Sequence, residues 1–171
     1  DMVDQGYTPV TQVLKQALVP ASPDVAAHLR IPEGSDVIEI VRLRFVQNIP
    51  VVLVTSYLPY SMCPGLLNEN LSNQSLHALL EEKYGLMIAR GRRTIEAVGA
   101  RSFEARLLSV PENEPLFLLI SDSFLGDGTP IEYYQALHRG DRSRFEVELV
   151  RVREISDSME LRDLPRANLL T

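Results

Sequence analysis

Hydrophobic and polar positions along the chain follow two periods, an alternation of two that marks strands and a spacing of three or four that marks helices. Asp36 to Gln47 and Pro50 to Tyr57 are rich in Val, Ile and Leu and read as two strands joined at Asn48-Ile49. Leu116 to Phe124 and Pro130 to His138 read as a second pair, joined through Gly126-Asp127-Gly128. Asp-Gly favours the positive φ that a tight hairpin turn needs, so the second turn is the stronger signal. A short helix precedes each pair, and the two helical segments are related. Asp24-Val-Ala-Ala-His-Leu-Arg-Ile-Pro-Glu33 resembles Phe103-Glu-Ala-Arg-Leu-Leu-Ser-Val-Pro-Glu112 at a period of about 80 residues. Ser22, with Pro23 behind it, caps the first helix, and Ser102 is placed to cap the second. A proline stops each. The chain therefore carries a helix plus β-hairpin unit twice. Such a duplication predicts the α+β class, one antiparallel sheet flanked by helices.

Between the copies, Leu76, Leu79, Leu80 and Tyr84 lie at helical spacing over Ser75 to Tyr84, and Gly85 is placed to end that helix. Met87 to Ala100 reads as a strand. Phe145 to Arg153 reads as a last strand, with Phe145, Val147 and Leu149 alternating against Glu146 and Glu148, and a slip at Val150 that suggests a bulge. From Ser156 the chain turns polar. The expected organisation is one domain over 1–155 and a C-terminal tail over 156–171, the tail partly disordered or packed on a partner.

Composition narrows the function. At 171 residues and 45% hydrophobic content the chain can bury one core, and its net charge of −6 argues against a broad nucleic-acid surface. Cys63 is the sole cysteine, so neither a disulfide nor a cysteine metal cluster is expected. No stretch reaches the roughly 20 apolar residues of a membrane span, and the start lacks the regions of a signal peptide. The expected protein is cytoplasmic, with no membrane partner. The opening Asp-Met suggests a fragment of a longer chain.

Two strands hold candidate chemistry. On Val37 to Val46 the strand period puts Arg42 and Arg44 on one face with Ile38 and Ile40, while Val41, Leu43 and Phe45 occupy the other. Two guanidinium groups on a strand apolar on both sides repel each other unless an anion or carboxylates lie between them. They bind an anion, or they pair with glutamates elsewhere in the sheet. On Ile131 to His138, Glu132, Tyr134, Ala136 and His138 share a face. A carboxylate, a phenol and an imidazole there can read hydroxyl groups or serve acid-base chemistry, or they form the polar outer face of an edge strand. Arg90-Gly-Arg-Arg93 is a small basic cluster from which Arg90 or Arg93 could close on an anion. His28 and His77 stand singly on helices, without metal-ligand spacing, and no phosphate-cradling glycine loop or serine elbow is present. No metal or cofactor is called for.

Several segments in order carry a resemblance. They are Gly6 with Thr8-Pro9, Val41-Arg42-Leu43-Arg44, Pro50 followed by Thr55-Ser56-Tyr57-Leu58-Pro59, and Ser75-Leu76 leading to Tyr84-Gly85. Ile95-Glu96-Ala97, Asp127-Gly128-Thr129-Pro130-Ile131-Glu132-Tyr133 and His138-Arg139-Gly140-Asp141-Arg142 before Phe145 follow. Together they resemble the UTRA domain, the ligand-sensing half of HutC-type regulators in the GntR family. The resemblance implies a chorismate lyase-like fold, a homodimer, and a winged helix-turn-helix that would normally precede this domain and would alone touch DNA. It also implies a small anionic effector, with a phosphorylated sugar favoured and an organic acid as the second class. By the family pattern Arg42, Arg44, Ser75 and Arg90 would hold the anion. Glu132 and His138 would read the sugar end, with Tyr134 beside them on the same strand. Val54 departs from the pattern, standing where a glutamate is frequent, and so puts aminosugar phosphates in doubt. Two rivals are a chorismate-lyase-type enzyme, since fold alone does not choose, and a dimerisation module that has lost its ligand.

Overall fold

Six antiparallel strands and three short α-helices make up residues 8–151, which a computed structural model describes. In chain order they are β1 (Val10–Pro20), α1 (Pro23–Leu29), β2 (Asp36–Val46), β3 (Ile49–Pro59), α2 (Leu76–Tyr84), β4 (Ile88–Gly99), α3 (Ser102–Leu108), β5 (Pro115–Leu125) and β6 (Pro130–Arg139). The strands form one sheet in the order β1-β2-β3-β6-β5-β4. The duplicated unit is therefore longer than the sequence indicates. Each copy begins with an edge strand and runs strand, helix, hairpin, and the two copies meet at the β3–β6 seam.

The copies agree down to single hydrogen bonds. Ala21 N–H donates to Ser35 O at 2.8 Å, and Ala100 N–H to Glu114 O at 2.9 Å; Ile31 N–H donates to Ala26 O at 3.1 Å, and Val110 N–H to Ala105 O at 3.0 Å. Both helices end on a residue in the left-handed region, Arg30 at φ 54° and Ser109 at φ 55°, and Pro32 and Pro111 follow two residues later. Each hairpin also carries a one-residue register shift just past its turn, at Val51 and at Ile131.

Caps and turns show where local chemistry differs from expectation. Ser22 caps α1 as expected, its hydroxyl accepting from Val25 N–H at 3.3 Å. Ser102 does not cap α3. It is the first helical residue, and Glu104 instead accepts the Arg101 backbone N–H at 2.9 Å. The first hairpin turns at Gln47-Asn48 and not at Asn48-Ile49. Both residues have positive φ (51° and 63°), which twists the turn to match the strands. The strand expected over Phe145 to Arg153 is absent from residues 145–151, which have no regular structure and no bulge at Val150; Val152, Arg153 and the tail lie outside the described residues.

Helices cover both faces of the sheet. α1 packs on Val37 and Tyr133, and α3 on Leu43, Leu53 and Leu116, all on one face. On the other face α2 and the 3-10 turns before it bury Ile38, Ile40 and Leu58 beneath Leu66, Leu71, Leu76 and Leu80. α2 covers only part of its face, because it lies over the row that begins with Ile38 and Ile40. The next rows carry polar groups.

Candidate anion-binding site

Strand register assembles the site. On the α2 face, Arg44, Val52, His138 and Phe117 form one row across the sheet, and Arg42, Val54, Ala136 and Leu119 form the next. Ile40, Ser56, Tyr134, Ser121 and Arg93 form a third, and Glu132 lies opposite Ser123, which pairs with Gly91. The side-chain period thus brings Arg42, Arg44, Glu132, Tyr134 and His138 to one surface from strands distant in sequence. β6 is a central strand, so these residues are not the solvated outer face of an edge.

Arg42 is 2% exposed and Glu132 2% exposed, whereas Arg44 and His138 are half-buried. Neither arginine has an ion pair among the described residues, and both Nε atoms are buried without a hydrogen-bond partner. Pairing with glutamates on neighbouring strands therefore does not account for them. Burial first and then the Arg44 charge lower the Arg42 pKa from its usual value, with Glu132 opposing. Two cations close together in a poorly solvated place stabilise any anion that comes between them.

Glu132 joins the sheet to the helix. His77, on the first turn of α2, lies with Nε2 at 2.8 Å from Glu132 Oε1. Burial works against the Glu132 charge, but the His77 hydrogen bond and charge, nearby Ser56 and Arg42 outweigh it and hold the carboxyl below its ordinary range. Ser56 Oγ does not meet hydrogen-bond geometry, and it and Glu132 Oε2 are both buried without partners. A carboxylate oxygen held this way accepts a hydroxyl or ammonium proton from a ligand. Tyr134 remains a neutral phenol, its pKa raised by burial. Arg93 donates from Nε to Ser121 Oγ at 2.6 Å and lies 5.6 Å from the Tyr134 ring centre.

His138 is neutral at pH 7. Burial, Arg93 and Arg44 push its pKa down to about 4, while in the unfolded chain it titrates near 6.5. The unfolded state thus binds more protons between these values, and the stability contributed above about pH 6.5 is lost as pH falls toward 4. His138→Gln is expected to flatten the melting temperature against pH by roughly a few degrees across that window. An unchanged slope in the variant would show that His138 is not the titrating group.

The two remaining expected residues are both exposed. Ser75 is exposed and caps α2, its hydroxyl accepting from Ala78 N–H at 3.3 Å. Arg90 is exposed and sits 4.2 Å over the Phe124 ring, so Arg93 is the β4 arginine on this surface. His77, Ser121 and Ser123 were not expected. Ser121-Asp122-Ser123 does leave a trace in the sequence, as a polar triplet inside an otherwise apolar strand.

A cavity of about 50 Å³ lies between His77, Gly91, Arg92, Arg93, Ser121, Ser123, Glu132 and Tyr134. It has room for water or a small inorganic anion, and Arg42 and Arg44 are not among its lining residues. A wider cleft of about 340 Å³ opens on the opposite face beside α3, lined by Leu53, Val98, Leu118 and Leu137 among others. Its charged members, Arg101 and Glu104, neutralise each other at 2.7 Å. That cleft therefore lacks the free charge an anion needs.

Comparison with known proteins agrees with this architecture. The UTRA domain pattern matches residues 4–144. The chain is 28% identical over 145 residues to the HTH-type transcriptional repressor NagR of Bacillus subtilis, covering 85% of this chain and 59% of that protein. It is 32% identical over 150 residues to the Escherichia coli transcriptional regulator PhnF, covering 86% and 61%. The crystal structure of the effector domain of PhnF from Mycobacterium smegmatis superposes with a TM-score of 0.81 at 27% identity, covering 88% of this chain and 92% of that one. The chain thus spans about three-fifths of the curated relatives it matches. The sheet and helices follow the chorismate lyase-like fold of these effector domains, while the relatives are transcription regulators, so the shared fold does not make this chain a lyase. The chain belongs to the UTRA family and is the effector-binding domain of a GntR-family transcription regulator.

Proposed function

We propose that this domain senses a small anionic metabolite between Arg42, Arg44 and Glu132, in a regulator of the HutC subfamily that works as a homodimer in the cytoplasm. The observation that carries the reading is the pair of adjacent arginines on the site face, each with a buried, unpartnered Nε. A phosphorylated sugar is the favoured class. The arginines suit a phosphate, and the free Glu132 oxygen suits a hydroxyl. Relatives named as repressors of a fructoselysine utilization operon, one of them from Escherichia coli at 25% identity over 140 residues, point to sugar-derived effectors. An organic acid would use the same arginines and is the second class. No helix among the described residues is long and apolar enough to cross a membrane.

The signal follows from the closed cavity. A ligand too large for that cavity would reach the free Glu132 oxygen by displacing α2, and His77 with it, from the sheet. Effector binding then acts through its differential affinity for the closed and open forms. A DNA-reading winged helix-turn-helix, outside this chain, would respond to that change, and a two-fold dimer would match a palindromic operator.

A thermal-shift series against sugar phosphates, organic acids, chorismate, phosphate and sulfate tests the reading, since a ligand of the folded state alone raises the melting temperature. A rise of several degrees with one phosphorylated metabolite is expected. No rise with any anion would sink the sensor reading and leave a dimerisation module.

A further inference from the structure

On the face opposite the arginines the two copies of the repeated unit pack differently. Laid over one another, they match Tyr57 with Leu137, Tyr133 with Leu53, Asp24 with Phe103 and Glu39 with Leu118. Beside α1 the space is full. Tyr57 and Tyr133 are a cross-strand pair with ring centres 5.9 Å apart, and His28 stacks on Tyr133 at 3.8 Å. Both phenols are anchored. Tyr133 Oη donates to Asp24 at 3.0 Å and accepts from Gln135 at 2.5 Å, and Tyr57 Oη donates to Glu39 at 3.3 Å. Beside α3 the matching cross-strand pair is Leu53 with Leu137, and there the cleft of about 340 Å³ opens.

We propose that this cleft is a second ligand site, which takes a neutral molecule carrying an aromatic ring. The proposal is independent of the anion site. The ring is argued from the filled half: the same strand-helix arrangement closes over two phenol rings beside α1, and the α3 half has only leucines in their places. Phe103, still 45% exposed, offers a ring to stack on. A volume at the low end of small-molecule pockets, about 300–1,000 Å³, suits one ring with a short substituent.

Neutrality is argued from the lining. Phe103 and Leu118 stand where the α1 half has the carboxylates of Asp24 and Glu39. Glu104 is 3% exposed and accepts both the backbone N–H and the Nε of Arg101 at 2.9 Å, so neither charge is free for a ligand. One polar edge remains. Thr55 and Gln135 lie opposite each other across the β3–β6 seam and both line the cleft. Gln135 gives its amide N–H to Tyr133, which leaves its carbonyl oxygen to accept a hydroxyl proton from an occupant.

The probe is p-cresol, the tyrosine side chain as a free molecule, titrated at millimolar concentration into the isotope-labelled domain and followed by amide NMR shifts. Saturable shifts are expected at Leu53, Thr55, Val98, Gln135 and Leu137, and benzoate, similar in size but charged, is expected to give none there. Leu118→Trp fills the cleft from a half-buried position and abolishes these shifts. Val98→Phe does the same from β4 and serves if the first variant folds poorly. A domain with both Arg42→Ala and Arg44→Ala keeps them. Shifts that stay linear with p-cresol, persist in a folded filled variant, or fall only on the arginine face would overturn the site. Equal saturation of the cleft by benzoate would overturn the neutral class.

Discussion

Replacing Arg42 and Arg44 together by Ala is expected to abolish anion binding by the proposed site while the domain still folds. Each charged hydrogen bond to an anion contributes about 1.5–3 kcal/mol, so losing two weakens binding by a factor on the order of a hundred or more. Titration calorimetry with inorganic phosphate, and with the best ligand of the thermal-shift series, measures that loss. The ligand-free protein behaves oppositely. Arg42 is buried beside a like charge without an ion pair among the described residues, and exchanging a buried ion for an apolar side chain of similar volume is often neutral or stabilising. Arg42→Met is therefore expected to keep or raise the melting temperature in the absence of ligand. A variant that melts earlier and still binds phosphate would make the arginines structural.

His77→Ala is expected to destabilise the domain by about 2–3 kcal/mol at neutral pH, since it strips a buried carboxylate of its closest hydrogen-bond partner. The figure falls below the roughly 3–5 kcal/mol of a fully buried pair because the His77 side chain is 20% exposed and Arg42 still faces Glu132. The pH dependence identifies the cause. In the unaltered protein Glu132 is held below its ordinary range, so its contribution is present above that range and lost as pH falls through it. Without His77, burial raises the Glu132 pKa, and the deficit of the variant is largest at pH 7 and shrinks below about pH 4. A deficit that is equal at both pH values would mean that His77 matters for packing alone.

Much of this architecture is legible in the sequence, and the failures have local causes. Both hairpins, α1, α2 and β4 follow from periodicity and caps. β1 does not, because Leu14 is inserted between the paired residues Val13 and Lys15 and breaks the alternation. The last strand fails the other way. Its alternation is real, yet no neighbour lies beside it in the described residues, and an alternating pattern specifies a strand only when an edge is there to receive it. At the site, two residues apart on one strand was enough to align Arg42 with Arg44 and Glu132 with Tyr134. Bringing β2 next to β3 and β6 is a matter of topology, and so is the arrival of His77 over Glu132 from a helix 55 residues earlier. A single histidine on a helix gives no sign of such a partner.

The two copies of the strand-helix-hairpin unit share strand order, C-terminal helix caps and hairpin bulges, yet where the first copy places Arg42 and Arg44 on its middle strand the second places Ser121 and Ser123. The last strands differ in the same way, with Val52 and Val54 in one copy and Glu132 and Tyr134 in the other. Two identical halves would offer a ligand the same chemistry twice and could grip only a molecule that looks alike from both ends. Divergence at these few positions gives the seam a direction, cationic on one side and hydrogen-bonding on the other, so that an unsymmetrical molecule has one way round to lie.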